Sequence, residues 1–86
     1  MRHASPAALD RLDNVLVALR AIPALKEKSR GAFYRGGRSF LHFHEHGEAL
    51  FADMRGGGDF DRFEVTTPAA QRVLLAEVRL RLRDTA

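Results

Sequence analysis

At Gly31 the spacing of apolar residues drops from three or four to two, and at Thr67-Pro68 it rises again. This double change of period restricts the chain to a helix, a run of strands and a second helix. In the first part, Leu9, Leu12, Leu16 and Leu19 recur at helical spacing with Val15 and Ile22 beside them. Ser5-Pro6 supplies a cap followed by a residue that needs no N–H partner, and Pro23 disfavours a helical Ile22. A helix is expected over 6–21, then a polar connection over 24–30. In the last part, Thr67-Pro68 repeats the cap-and-proline signal. Ala70, Leu74, Leu75, Val78 and Leu82 form the apolar stripe of a second helix ending near Arg83.

Between the helices the pattern predicts four strands, over 31–35, 38–44, 48–54 and 60–65. Gly36-Gly37 and His46-Gly47 provide tight turns, since glycine accepts positive φ. Gly56-Gly57-Gly58 breaks the third strand from the fourth. Short connections favour an antiparallel meander. The expected fold is α+β, a two-layer sandwich with a four-stranded antiparallel sheet and the N- and C-terminal helices on one face, in the order α-β-β-β-β-α. Eighty-six residues allow a single domain, 1–86.

The chain has no cysteine, which excludes disulfides, thiolate metal sites and cysteine nucleophiles. Its start lacks the apolar core of a signal peptide, and its apolar runs fall well short of the ~20 residues of a membrane span. A cytoplasmic protein without a membrane partner is expected. The net charge of +3 rests on twelve Arg and two Lys against eleven acids. Ordinary solubility accounts for that excess as well as nucleic-acid binding does.

Residues 39–48, SFLHFHEHGE, hold three of the four histidines. Positions i and i+2 of a strand share a face, roughly 6.5–7 Å apart along the chain. His42 and His44 therefore project side by side. With Glu48 across the hairpin and Asp53 within approach, they offer the two imidazoles and a carboxylate common to iron and manganese sites. A divalent metal is the one cofactor the sequence suggests. The competing reading is ordinary sheet surface next to a turn. Leu41 and Phe43 share one face, whereas Phe40 alternates onto the other with His42 and His44. Ala49-Leu50-Phe51-Ala52 is apolar at both parities. The face away from the helices thus carries more apolar surface than a solvated face needs. A second copy of the chain is expected to cover it, and Phe40, His42 and His44 are its candidate ligand-binding residues.

The stretch resembles the first cupin motif, with Gly36, five residues, His42-Phe43-His44, three residues and Glu48. That resemblance implies His42, His44 and Glu48 as metal ligands. It departs at Arg55, where the motif has glycine, and the second cupin motif is absent. The three alternating histidines also resemble the signature of the histidine-triad nucleotide hydrolases. Glu45, Gly47 and Glu48 stand where that signature has hydrophobic residues. Under that resemblance His44 would be the nucleophile.

On the second helix Arg72, Arg79 and Arg83 form a basic stripe that could follow phosphates. It equally suits the solvated back of a helix whose last turn favours cations. Arg55-Gly56-Gly57-Gly58-Asp59 lacks the Lys-Ser/Thr of a phosphate loop and reads as a hairpin loop. Asp59 and Asp61 read as charged strand-edge residues. The helix followed by Gly31-Ala32-Phe33-Tyr34-Arg35-Gly36-Gly37-Arg38-Ser39-Phe40 resembles the small YjbR-type proteins, loosely over residues 9–82. The resemblance implies their frataxin-like α+β fold and a nucleic-acid-binding label, and it transfers no catalytic residue. The functional expectations are a non-catalytic binding or interaction module, a divalent-metal protein or metal-assisted enzyme using His42 and His44, or a nucleic-acid binder.

Overall fold

The computed structural model describes residues 1–84. Its elements are β1 (Arg2–His3), α1 (Pro6–Arg11), α2 (Asp13–Arg20), β2 (Lys26–Ser29), β3 (Ala32–Arg35), β4 (Arg38–His46), β5 (Ala49–Arg55), β6 (Phe60–Glu64) and α3 (Pro68–Asp84). The fold is α+β with one antiparallel sheet, α1 and α2 lying between its first two strands and α3 following its last. The sheet has six strands rather than four. β3 to β6 form the expected four-stranded meander, β2 adds a fifth strand at its edge, and β1 pairs with the far half of β4.

Both additional strands lie where the sequence shows no alternation. β2 is Lys-Glu-Lys-Ser, an almost wholly exposed edge strand. Charge on such an edge discourages pairing with other chains. It folds back on β3 through Gly31, at φ +81°. β1 is two residues long and forms because β4, at nine residues, outruns β3. Arg2 and His3 take up the free edge opposite Glu45 and His44.

The first helix is divided in two by Leu12, whose backbone leaves helical geometry at φ −102°, ψ 12°. Leu12 remains fully buried, so the break re-aims the chain without losing the apolar stripe. Ser5 caps α1 by accepting the Ala8 N–H at 3.2 Å. Thr67 does the same for α3, accepting the Ala70 N–H at 3.1 Å. α2 packs against α3. Leu9, Leu12, Val15, Leu16 and Leu19 from the first helices join Leu74 and Val78 of α3 in one core with Phe33, Leu41, Phe43, Ala52 and Met54 of the sheet.

One irregularity in β4 changes the expected faces. Phe33 pairs with Leu41 and Tyr34 with Ser39, so Phe40 has no partner across β3. This is a β-bulge, and an extra residue resets the alternation on one side of it. Phe40 and Leu41 therefore both turn into the core, at 5% and 0% exposure. Strict alternation would place Phe40 beside His42 and His44, as the sequence pattern suggests; the bulge breaks that alternation and puts Phe40 in the core instead. Phe40→Ala is expected to cost about 3–5 kcal/mol, as for other buried Phe truncations. Urea denaturation checks this, and a cost below ~1 kcal/mol would mean that Phe40 is not a core residue.

Candidate metal centre

On the sheet face away from the core, β4, β5 and β6 run in unbroken register. His42 pairs with Asp53, and Asp53 pairs with Arg62, giving one row across three strands. His44 lies two residues along β4, and His3 is its partner on β1. Cross-strand and diagonal neighbours on one face are within side-chain reach. His3 stacks on His44 with ring centroids 4.7 Å apart, and the rings of His42 and His44 meet edge-to-face at 4.9 Å. Phe60 closes one side, its ring 4.9 Å from that of His42.

Asp53 is the centre of the group. It is the buried charged residue among those described, at 7% exposure. Arg62 grips it with two hydrogen bonds, Nε to Oδ1 at 2.7 Å and Nη2 to Oδ2 at 2.8 Å. Such a bidentate pair fixes the carboxylate plane as well as its charge. His44 Nε2 stands 3.2 Å from Asp53 Oδ2, and His42 Nε2 stands 3.7 Å from the same oxygen. The His44 contact is close but not aligned for a hydrogen bond, so Nε2 is buried without a hydrogen-bond partner. A buried polar atom left in that state is uncommon and costs free energy.

The charge states follow from the surroundings. Hydrogen bonding by Arg62 holds the Asp53 carboxyl below the usual range, against the opposing effect of burial. Desolvation lowers the pKa of both His42 and His44, outweighing the attraction of Asp53. The site at neutral pH is thus one carboxylate beside two neutral imidazoles, the forms in which both residue types coordinate metals. One donor atom from each of His42, His44 and Asp53 lies within 4.8 Å of the others.

The carboxylate that joins the histidines is Asp53, not Glu48. Glu48 is exposed in the turn between β4 and β5, where register carries it beyond the strand pair. His46, at the end of β4, is exposed. Phe40 lies in the core, which removes it from the apolar surface expected around the histidines. Phe51 there is partly buried and Phe60 is 37% exposed. Of the more exposed large apolar side chains, Val17, Val73 and Leu80 are on the helices and Met1 precedes β1. Arg72, Arg79 and Arg83 lie on the exposed side of α3. His3 and Arg62 were missed by the sequence reading. Arg62 alternates with Asp61 and Phe63 in a recognisable strand, so its face was readable but its partner was not. His3 had no local signal at all.

No family model matches the sequence, and no curated protein and no solved structure matches it. No helix among the described residues is long and apolar enough to cross a membrane.

The pKa directions set a pH dependence. His42 and His44 have lower pKa values folded than unfolded, so the unfolded chain binds more protons once pH falls below about 6.5. Their neutral forms support full stability above that value, and stability is lost as pH falls from there through the folded pKa values. Asp53 is lowered too, and its contribution is lost only as pH falls below the ordinary carboxylate range. In chelator-containing buffer the urea midpoint is expected to fall between pH 7 and 5, and the double variant His42→Gln, His44→Gln should flatten that slope. A midpoint that is constant or rises toward pH 5 would contradict these assignments.

Proposed function

We propose that this protein is a small binding module for a divalent transition-metal ion, held by His42, His44 and Asp53. The observation that carries the reading is the buried, unpartnered Nε2 of His44 beside a second imidazole and an ionised carboxylate. A cation at that position would give the orphaned nitrogen a partner and would favour the neutral imidazoles that desolvation already produces.

The dimensions are close to those required. Zinc binds histidine nitrogen and carboxylate oxygen at about 2.0–2.2 Å in a tetrahedral arrangement, so two donors on one ion stand roughly 3.3–3.6 Å apart. The donor set, spread over up to 4.8 Å, needs to draw in by about 1.2–1.5 Å at its widest. Side-chain rotation of the imidazoles supplies that movement. Arg62 does not prevent coordination. A carboxylate has about four lone-pair sites, and Arg62 uses one on each oxygen. It acts instead as the outer partner that orients a ligating group, at the expense of some electrostatic attraction for a dication. His3, stacked on His44, is near enough to shield the site from water.

Imidazole with carboxylate suits zinc and iron, and affinity along the first row favours zinc over iron and manganese. Zinc is therefore the probe. Protein made without a histidine tag is expected to bind one zinc ion per chain by calorimetry. His44→Ala and Asp53→Asn should each weaken binding more than about a hundredfold, beyond the 10–100-fold typical of residues that only orient a ligand. Glu48→Ala should leave it unchanged. Zinc at a hundred times Kd should raise stability by about 2.7 kcal/mol. Absence of saturable binding, or loss of binding in Glu48→Ala but not in Asp53→Asn, would overturn the proposal.

A further inference from the structure

A second concave region lies at the end of the sheet where the β3–β4 turn, the β5–β6 loop and the last turns of α3 come together. It is a cleft of about 560 Å³ with Arg35, Arg38, Arg55 and Arg81 around it, Phe40 in its wall and Gly56 at its rim. Ligand pockets commonly enclose about 300–1,000 Å³. None of its residues belongs to the histidine–aspartate group.

Its charge is the feature that calls for a ligand. Among the described residues, four guanidinium groups line the cleft and no carboxylate does. Arg81 is compensated from the side, by Asp61 at 3.0 Å and Glu77 at 3.5 Å. The other three have no carboxylate partner among the described residues. Arg55 is held by backbone oxygens, with Nε donating to Ser39 at 2.7 Å and Nη1 to Gly58 at 3.2 Å. Arg35 donates to the Leu82 carbonyl at 3.5 Å. These bonds position the side chains without neutralising them. Arg38 makes no hydrogen bond or ion pair among the described residues and is free to swing onto a ligand. Gathering like charges in a recess is unfavourable unless an anion joins them.

The local backbone is shaped to the same end. Gly36 and Gly37 turn at φ +56° and +83°, which lets the hairpin carry Arg35 and Arg38 on paired positions. A Cβ at Gly56 would come within 2.9 Å of Asp61 Oδ2 and 3.6 Å of Arg81 Nη1, so a glycine there lets the loop close on that ion pair. The bulge that buries Phe40 gives the cleft an apolar wall.

We infer that this cleft binds a small organic phosphate, its phosphoryl oxygens on Arg35, Arg38 and Arg55 and its carbon framework against Phe40. Several guanidinium forks suit a group with several anionic oxygens. The recess suits a compact ligand, whereas a polymer would need a track of charge extending beyond it.

Phenyl phosphate, titrated into isotopically labelled protein, is the test. Saturable amide shifts are expected at 35–40 and 55–57. Arg38→Glu should weaken binding at least about tenfold, the scale of one lost charge-assisted hydrogen bond. Arg72→Glu, which makes the same charge change on the outer side of α3, should leave the affinity within about twofold. Three results would overturn the inference. One is the lack of saturable shifts. Another is equal weakening by Arg38→Glu and Arg72→Glu, which would indicate general attraction only. The third is a single-stranded oligonucleotide displacing phenyl phosphate at a tenfold lower phosphate concentration, which would make the ligand a nucleic acid.

Discussion

The single extra residue in β4 governs what each surface of this protein can do. Up to Ser39 the strand keeps step with β3, and from Leu41 onward it keeps step with β5. The bulge between these stretches lets two aromatic-rich segments feed one core while His42 and His44 remain on the opposite face. Without it, continued alternation would put either Phe40 or Leu41 out in water. A large apolar side chain contributes about 1.5–3 kcal/mol on burial, enough to specify this arrangement over strict pleating. A bulge also increases local twist and bends the strand, and the Arg-lined recess lies beside this one.

The two polar regions handle charge in opposite ways. Around Asp53 the charge is balanced: one carboxylate, one guanidinium and two imidazoles kept neutral by burial. Around Arg38 it is left unbalanced. They are joined by a short aromatic bridge, because the Arg55 guanidinium sits 4.6 Å over the Phe60 ring and that ring abuts His42. Removing Asp53 alone would leave the Arg62 guanidinium without its bidentate partner and the row across β4, β5 and β6 without its centre, which is why its loss should be felt by both neighbouring strands.

Much of the architecture was legible because apolar periodicity reports burial. The Leu9-to-Leu19 stripe marked a helical segment, although as one helix rather than the two that meet at Leu12, and the alternation from Phe33 onward and the Thr67-Pro68 cap led to elements that exist. Lys26–Ser29 was not legible, since an edge strand made of charged residues earns its place through pairing with β3 and has no apolar pattern of its own. His3 was hidden for a similar reason: two residues become a strand only when a long neighbour offers a free edge. The pairing of His42 with His44 followed from parity. The choice of Asp53 over Glu48 depended on how far β4 and β5 extend before the turn, and strand ends are poorly specified by local sequence. The arginine cleft draws on three separate strands and a helix, so no segment of the chain announces it.

The position a metal ion takes is what separates the histidine–aspartate group from ordinary sheet surface. Anomalous scattering at the zinc edge from crystals grown with one equivalent of zinc would locate it. The expected result is one strong peak on the outer sheet face, bonded to His42, His44 and Asp53, with donor distances of about 2.0–2.2 Å. A peak at His46 and Glu48, or none in crystals of well-ordered protein, would contradict the account.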